Sequence, residues 1–511
     1  MTRKFTSTIA GASFLITLIG LISKGFGFLR EVVYAGSFGI EKEFDVYLVG
    51  IVLPFTINSA VFFLAQNYLI PAFHKLKLED PEKSNFFFKN NLISFFMLSV
   101  ILTFLLIIFS GSIIGTIINN TESDLYRLAR IVLLLSCFTI PLNAVFSVLS
   151  AFQQSNYDFT STTLSMLFPN VLIILSVFIL KEISGILSIP VGYLTGVFLQ
   201  ALYLISKSRS HLKISFSQKT KLKVNLGFIS KTFVFIVIIE TLNQIYVIID
   251  RYFFNLVDTG GIAALNYATA VFVLPISIFS FALSTAIFPT FSELAGKKDF
   301  TSLAAHLTDS LKIIFLIFIP ISFIYFFWGE SIVELFFQRG KFDRNGTILT
   351  SEVLLIYSCS LIFYSCYAII NKLLYSLGLV KELLLITVFL FGLKIFLNSF
   401  LVELLSQNGL ALASSICYSL MFIAGTALVF KSIGFKRKRA LFTSFSFYVI
   451  ANFLVLLVIE LLFSVFTDQN TMVQLFKVAI YFVLFIITLY SVKPEEIKKI
   501  LTSYKYKTSI Q

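Results

Sequence analysis

The amino-acid sequence predicts an all-α polytopic membrane protein. Of its 511 residues, 57% are hydrophobic and only 13% are charged, a composition that excludes an ordinary soluble globular domain. The mean hydropathy is +0.91. Apolar stretches of about 20 residues, long enough to cross roughly 30 Å of hydrocarbon, recur between short polar breaks along the whole chain. These stretches lack the alternation of outer-membrane strands, so we expect them to be helices.

Fourteen such stretches are predicted to be transmembrane helices. They lie at residues 6–36, 44–72, 90–118, 126–152, 160–180, 186–206, 228–256, 262–291, 310–337, 350–376, 380–404, 408–430, 441–466 and 473–491. The first stretch is too long for a cleavable signal peptide and leads directly into a repeated motif, so we expect it to remain in the membrane.

Two parts of the chain are related by an internal repeat. Arg30, Gly39, Asp45 and Pro54 recur with identical spacing as Arg251, Gly260, Asn266 and Pro275. Further along, Pro71-Ala72-Phe73 and Ser136-Cys137 recur as Pro289-Thr290-Phe291 and Ser358-Cys359. A colinear series of this kind indicates two equivalent helical bundles, the plan of a transporter with a central site. An even number of helices separates the repeats, so both bundles are predicted to run the same way through the membrane.

The repeat divides the chain into five predicted regions. They are an N-terminal six-helix bundle at 1–206, a basic cytoplasmic linker at 207–227, a second six-helix bundle at 228–430, two extra helices with a basic loop at 431–491, and a cytoplasmic tail at 492–511.

Basic residues collect on one side of this fourteen-helix topology. They lie in the first five residues, in 74–89, 207–223, 297–298 and 436–439, and in the tail at 493–507. The positive-inside rule assigns that side, and both chain termini, to the cytoplasm. An exception is a predicted outer loop that carries Arg339, Lys341 and Arg344.

Other classes of protein lack support in the sequence. The net charge of +13 fits orientation in the membrane and contact with anionic lipid better than binding of nucleic acid. No P-loop or nucleophile elbow is present, so the chain brings no ATPase and is not predicted to be an enzyme. Its three histidines and four cysteines are not spaced to share a metal, and no cofactor is expected.

The first predicted helix carries ionisable residues inside an apolar run. Lys24, Arg30 and Glu31 lie between Phe5 and Phe38. A charge in hydrocarbon costs at least about 2.5 to 3.5 kcal/mol on insertion scales, so we expect these residues to face the bundle interior or water. Snorkelling of Lys24 and Arg30 to the membrane surface is the alternative interpretation.

Polar residues also follow one face of the predicted helix 228–256. They are Glu240, Asn243, Gln244, Asp250 and Arg251. The helix at 44–72 adds Asp45 and Asn58, and the helix at 262–291 adds Asn266. Together these residues predict a polar cavity shared by the two bundles. Hydrogen bonding between helices is an alternative explanation for the row of polar residues on the helix 228–256. Lys394 and Asn398 are four residues apart and form either a secondary site or a structural pair.

The motifs that contain these residues resemble the MurJ (MviN) family of lipid II flippases. The resemblance begins with Ser23-Lys24-Gly25-Phe26-Gly27-Phe28-Leu29-Arg30-Glu31, Phe38-Gly39 and Asp45. It continues with Asp250-Arg251, Leu265-Asn266-Tyr267-Ala268, Leu274-Pro275, Phe288-Pro289 and Phe337-Gln338-Arg339-Gly340-Lys341-Phe342. The last motif also accounts for the basic outer loop, and the resemblance covers the whole chain.

The resemblance implies a V-shaped bundle of the multidrug/oligosaccharidyl-lipid/polysaccharide exporter type in the bacterial inner membrane. Such a protein moves undecaprenyl-diphosphate-linked muropeptide to the outer leaflet by alternating access, for peptidoglycan biosynthesis, cell wall biogenesis and cell shape. By resemblance, Lys24 and Arg30 stand at two cavity arginines of the family. The chain departs from the family at Asn58 or Ser59, where well-studied members have an arginine, and at Thr269-Ala270, where they have an Asp-Arg pair.

The predicted function is therefore translocation of a lipid-linked glycan, most simply lipid II. The predicted substrate-binding residues are Lys24, Arg30, Glu31, Asp45, Asn58 and Arg251, and the predicted ion-coupling or cavity residues are Glu240, Asn243, Gln244, Asp250 and Asn266. Na⁺, a proton or the membrane potential could drive the cycle, and the sequence leaves this choice open. The alternatives are a flippase for another lipid-linked oligosaccharide of a surface polysaccharide and a cation-coupled multidrug exporter.

Overall fold

The computed structural model describes residues 9–79, 81–119, 123–212, 231–464 and 470–492. Every regular element in these ranges is a helix, which confirms the all-α prediction. The first five residues, most of the basic linker 207–227 and the tail 493–507 lie outside the described residues.

The helices are numbered in chain order. They are α1 Ile9–Phe38, α2 Lys42–Glu79, α3 Pro81–Gly115, α4 Asp124–Cys137, α5 Thr139–Ser155, α6 Phe159–Ser165, α7 Leu167–Ser184, α8 Ser188–Leu212, α9 Lys231–Tyr252, α10 Gly261–Pro275, α11 Phe281–Gly296, α12 Phe300–Phe337, α13 Arg344–Ser376, α14 Val380–Ser432, α15 Lys438–Phe463 and α16 Thr471–Val492. Short 3₁₀ turns lie at Gly185–Leu187 and Phe254–Leu256, and a π-helical turn at Ile276–Ser280 joins α10 to α11.

Within the described ranges, 11 helical segments have the length and hydropathy to cross a membrane. Two of them, Phe159–Arg209 and Val380–Ser432, contain 51 and 53 residues, and each is interrupted by a residue with positive φ, at Gly185 and Ser406. Helix α1 is not among the 11, although its 30 residues would span about 45 Å at 1.5 Å per residue. The predicted number of fourteen transmembrane helices stays a prediction.

The helices form two compact units. The first unit contains Met1–Ala264, Arg339–Asp343 and Asn398–Gln407, and the second contains Leu265–Gln338, Arg344–Leu397 and Asn408–Gln511. The five regions predicted from the repeat remain a prediction.

Aromatic packing and close helix contacts build the interior of the first unit. The ring of Phe88 contacts those of Phe73 and Phe152, with both centroid distances at 5.0 Å. Helix α8 also lies close against α7, as a Cβ placed on Gly196 would come within 2.5 Å of the Cα of Pro169. This contact positions the turn of α7 that carries Asn170.

The two extra helices α15 and α16 pack against α12 in the second unit. Helix α12 kinks at Trp328, whose φ is −126°, and the Trp328 ring meets the buried Tyr481 ring at 5.5 Å. The Tyr481 hydroxyl donates a hydrogen bond to Asn452. Lys477 on α16 forms an ion pair with Glu460 on α15 at 3.1 Å. A hydrogen bond and an ion pair therefore connect α15 to α16, two helices that are otherwise largely apolar.

Acidic residues balance the exceptional basic loop. Lys341 pairs with Glu41 at 3.0 Å in the first unit. In the second unit, Arg344 pairs with Glu330 and lies 3.5 Å from Glu334. The positive charges of this loop are thus partly neutralised by acidic partners, whereas its predicted outer location stays a prediction.

Glycines with positive φ form a tight junction in the first unit. Gly39 and its repeat partner Gly260 have φ values of +58° and +82°, and each precedes a long helix. Gly340 has a φ of +57°, and a Cβ there would lie 2.1 Å from the carbonyl oxygen of Gly36. Lys341 donates its backbone N–H to that same oxygen at 3.0 Å. A side chain at position 340 would therefore break a close contact between backbones.

We expect Gly340→Ala to destabilise the protein by about 2 kcal/mol or more, since the left-handed conformation costs about 1–2 kcal/mol for an L-residue and the overlap adds to it. The measurement is the thermal stability of the detergent-solubilised full chain. Gly392→Ala is the matched control, because Gly392 is helical and a Cβ there would meet nothing within 4 Å. An unchanged melting temperature for Gly340→Ala would contradict the tight junction.

Candidate functional site

Arg30 lies at the centre of a polar cluster in the first unit. Its Nη2 is 2.6 Å from Glu31 Oε1, and its Nη1 donates to Asn170 Oδ1 at 3.1 Å. The guanidinium also lies 5.6 Å from the centre of the Tyr34 ring. The Arg30 side chain is 29% exposed, so these contacts hold the guanidinium in place while part of the side chain stays accessible. We call these four residues the Arg30 cluster.

A second set of hydrogen bonds lies nearby in the same unit. The Asn58 amide donates to Thr139 Oγ1 at 2.9 Å and to the Tyr193 hydroxyl at 3.2 Å. Tyr193 is close enough to Arg30 to interact with its charge. Asn58 is buried, and no described residue donates a hydrogen bond to its Oδ1. Neutral donors and acceptors therefore surround the position where the resemblance indicates an arginine.

Lys24 lies on an open face of α1. Its side chain is exposed, and a Cβ placed on Gly25 or Gly27 would meet no atom within 4 Å. Both the cavity and the snorkelling interpretations of Lys24 remain predictions.

Asp45 occupies a different place from the Arg30 cluster. Its two carboxylate oxygens accept the backbone N–H groups of Gly260 at 2.7 Å and Ala263 at 2.6 Å. The side chain is 1% exposed. It therefore caps the beginning of α10, where backbone N–H groups lack partners inside the helix and favour an anion. A substrate-binding role for Asp45 stays a prediction, and its carboxylate is already engaged in this arrangement.

Arg251 belongs to the same junction. It is buried and donates from Nη1 to the carbonyl oxygen of Ile262 at 3.2 Å, and its charge acts on Asp45. The repeat partners Arg30 and Arg251 are thus held by different groups, the former by side chains and the latter by backbone. Substrate binding by Arg251 stays a prediction.

The predicted ion-coupling residues of α9 separate into two places. Asp250 Oδ1 accepts a hydrogen bond from the Asn398 amide at 2.9 Å. Glu240 and Gln244 line a cavity between α9 and α2. Asn243 is half-buried on α9, and Asn266 is half-buried on α10 in the second unit. Glu240 and Gln244 are therefore the only pair of these predicted residues that the described cavity brings together.

Several partners in these clusters were not predicted from the sequence. Asn170, Tyr34, Thr139 and Tyr193 complete the hydrogen bonds and ring contacts described above. Asn170 had a signal, because it is an isolated amide inside the predicted helix 160–180. The tyrosines had none, since the chain contains 21 Tyr and 61 Phe residues. Among the described residues, no group of three or more His, Cys, Asp or Glu side chains is placed to hold a metal.

Long apolar helices with ionisable and amide side chains held inside a bundle define this chain as a polytopic membrane transporter. The family model of the lipid II flippase MurJ matches residues 34–482. The chain belongs to that family, and it is therefore a multi-pass protein of the bacterial inner membrane.

Individual relatives agree with this assignment. The probable lipid II flippase MurJ of Borreliella burgdorferi is 28% identical over 473 residues, covering 89% of this chain and 90% of that protein. The probable lipid II flippase MurJ of Aquifex aeolicus is 28% identical over 371 residues, 71% of this chain and 72% of that protein.

Solved structures share the fold. A lipid II flippase MurJ in an inward closed conformation has a TM-score of 0.81 at 23% identity, with coverage of 95% of this chain and 100% of that one. An inward-facing multidrug resistance transporter of the MATE family gives a lower TM-score of 0.61 at 13% identity, over 83% and 99% of the two chains. The predicted resemblance to the MurJ family is confirmed, and the similarity to the MATE transporter is one of fold.

Proposed function

We propose that this protein translocates lipid II from the inner to the outer leaflet of the bacterial cytoplasmic membrane by alternating access. The observation that carries the proposal is the Arg30 cluster, in which polar partners hold a partly exposed arginine side chain inside a helical bundle, in a chain that matches the family model over residues 34–482. The chain moves its substrate without changing covalent bonds, so it is proposed to be a transporter and not an enzyme.

The chemistry of Arg30 suits a diphosphate. A diphosphate-sugar head cannot enter hydrocarbon without compensation for its charge and hydrogen bonds. A guanidinium offers a planar fork that binds two phosphate oxygens, and Lys24 would add a point charge from the same helix. Glu31 now accepts from two nitrogens of Arg30, so a bound phosphate would compete with Glu31. The polyprenyl tail would remain in the lipid.

Neutral groups supply the rest of the proposed site. Asn58, Thr139 and Tyr193 form their network beside Arg30, where the family resemblance indicates another cation. Amide and hydroxyl groups are suited to the sugar and peptide portions of a muropeptide head. We therefore infer that the substrate's phosphates depend mainly on Arg30 and that its uncharged polar groups bind the neutral network.

The membrane potential can contribute to the direction of transport. Under the proposed topology, with both termini in the cytoplasm, the anionic head moves outward across an inside-negative membrane. Each charge gains roughly 2.3 kcal/mol per 100 mV, so two charges supply a few kcal/mol without ATP. Alternating access would require the predicted bundles 1–206 and 228–430 to move relative to each other.

Complementation tests the proposal. We expect the full-length chain to restore growth of a bacterial strain depleted of its essential lipid II flippase, because it would supply the missing translocation step. The measurement is colony formation after depletion, with membrane expression verified. A second strain, which lacks a flippase for a different undecaprenyl-diphosphate oligosaccharide, tests the alternative substrate. If the chain is expressed in both strains and restores the surface glycan of the second but not the growth of the first, lipid II is the wrong substrate and the other glycan is the correct one.

A further inference from the structure

The turn between α14 and α15 in the second unit concentrates positive charge. Five exposed basic residues fall within nine positions, and we call them the basic turn: Lys431, Lys436, Arg437, Lys438 and Arg439. The sequence contains no Asp or Glu between Glu403 and Glu460. Within the ranges that the structure describes, no acidic side chain forms an ion pair with any of the five. The basic turn thus differs from the loop at 339–344, where Lys341 and Arg344 pair with acids.

The way in which α14 ends gives the basic turn a defined shape. Gly434 has a φ of +59°, and the N–H of Phe435 donates to the carbonyl oxygen of Phe430 at 3.1 Å. This is the Schellman arrangement, in which a left-handed glycine ends a helix and an apolar contact accompanies the backbone bond. The Phe430 and Phe435 rings supply that contact, since they stack with their centroids 4.2 Å apart. The Nζ of Lys438 lies 5.8 Å from the centre of the Phe430 ring.

The basic turn lies where the chain leaves the membrane. It joins Val380–Ser432 to Lys438–Phe463, two segments with the length and hydropathy of membrane-crossing helices. Phe442 follows Lys438 by four residues on α15, so the two residues lie on the same face of that helix. The Phe442 side chain is 72% exposed. A cation next to an exposed apolar ring matches the order of groups in a phospholipid, whose phosphate lies beside its acyl chains.

The four consecutive cations at 436–439 act together on a nearby anion. Neighbouring Cα atoms are about 3.8 Å apart, well within the Debye length of roughly 8 Å at physiological salt. An arginine can bind two phosphate oxygens with its fork, and a lysine adds a point charge. Runs of basic residues next to a membrane helix favour anionic headgroups. Orientation of the chain in the membrane requires only the positive charge, and it requires neither the Schellman turn nor the exposed ring.

We propose that the basic turn binds the phosphate headgroup of an anionic phospholipid, with Phe442 against an acyl chain. The position of the turn between two membrane-length segments favours a lipid over an acidic protein surface. This lipid is a resident component of the membrane and is not the transported substrate. The inference therefore does not rest on the proposed function, and a failure of the complementation experiment would leave it unaffected.

Native mass spectrometry of the purified full-length protein in a neutral detergent tests the site. The protein is titrated with phosphatidylglycerol or with phosphatidylcholine that carries the same acyl chains. We expect the wild type to bind its first phosphatidylglycerol at least fivefold more tightly than phosphatidylcholine. The quadruple variant Lys436→Gln/Arg437→Gln/Lys438→Gln/Arg439→Gln should lose at least fivefold in affinity for phosphatidylglycerol. Its affinity for phosphatidylcholine should stay unchanged, because the zwitterionic lipid gains little from the extra positive charge.

The matched control removes four exposed positive charges elsewhere, at Lys207, Arg209, Lys297 and Lys298. The quadruple Gln variant at these positions should keep the affinity for phosphatidylglycerol within twofold of the wild type. If the first quadruple variant does not fold, the double variant Arg437→Gln/Arg439→Gln is compared with Lys297→Gln/Lys298→Gln, and only the former should weaken binding by more than twofold. An excess of inorganic phosphate should not displace the lipid, since phosphate makes no contact with Phe442.

Three results would overturn the proposal. The first is equal affinity of the wild type for the two lipids, which would leave an acidic protein surface as the partner of the basic turn. The second is an affinity for phosphatidylglycerol that stays within twofold of the wild type when the basic turn is neutralised. The third is complete displacement of the lipid by inorganic phosphate, which would make the turn a site for free anions.

Discussion

Replacing Arg30 by glutamine is expected to lower lipid II translocation at least tenfold. The guanidinium would lose its charge-assisted hydrogen bonds to phosphate, each worth about 1.5–3 kcal/mol, and about 1.4 kcal/mol already corresponds to a factor of ten. Arg30→Lys should be intermediate, because it retains the charge and loses the fork. The measurement is the rate at which fluorescent lipid II changes leaflet in proteoliposomes with equal amounts of protein.

A structural role for Arg30 would also impair the variant, because Glu31 is buried and would lose its partner. The double variant Arg30→Gln/Glu31→Gln separates the two explanations, since it removes both charges together. If Arg30 binds substrate, the double variant regains thermal stability but stays inactive. If the double variant also regains translocation, Arg30 only balances Glu31. Arg130→Gln is the control, because Arg130 is an exposed arginine of α4 bonded to Ser110, outside the cluster, and its loss should leave translocation unchanged.

The sequence predicted the helices correctly where a polar break in the apolar sequence coincides with an interruption of the helix. The predicted gaps at 181–185 and 405–407 contain Gly185 and Ser406, the positive-φ residues that interrupt the two longest helical segments. Polar residues interrupt the apolar sequence at both places. Helix ends were less predictable. Helix α2 continues to Glu79, and α3 already begins at Pro81, since a helix can extend beyond the hydrocarbon into polar sequence that hydropathy does not register.

The candidate site was predictable in its residues more than in its contacts. A charged pair such as Arg30 and Glu31 is visible because both residues interrupt the same apolar run. Asn170 is 140 positions away from Arg30, and no local pattern joins them. Their contact depends on the packing of α1 against α7, which no local sequence pattern specifies. Sequence alone therefore indicates which groups need partners and leaves the partners open.

The repeat explains why equivalent positions need not keep equivalent chemistry. Gly39 and Gly260 share a positive φ, so the backbone of both turns restricts the residue type. Asp45 and Asn266, the next pair in the series, differ in surroundings: Asp45 is buried against the start of α10, whereas Asn266 is half-buried within that helix. The spacing shared by the two repeats therefore indicates that both contain the same turns. It does not by itself predict that Asp45 binds a ligand.

Asp45→Ala is expected to lower the free energy of unfolding by about 3–6 kcal/mol. The variant loses two hydrogen bonds to a charged group, each worth about 1.5–3 kcal/mol, and leaves the Gly260 and Ala263 N–H groups without their acceptor in a buried place. Arg251 would also lose a nearby opposite charge. Asp45→Asn should cost less, because its one remaining oxygen can still accept one of the N–H groups. The measurement is the denaturation midpoint of the full chain in detergent.

Glu43→Ala provides the matched control, since Glu43 is an exposed acid in the same first turn of α2 and should change stability by less than about 0.5 kcal/mol. Lipid II binding measured below the melting temperature distinguishes a cap from a ligand. A cap predicts that Asp45→Ala unfolds more easily while the correctly folded fraction still binds lipid II. Unchanged stability together with lost lipid II binding would instead make Asp45 a substrate ligand, as predicted from the sequence. The contacts of Asp45 with the backbone of Gly260 and Ala263 would then contribute little to the stability of the junction.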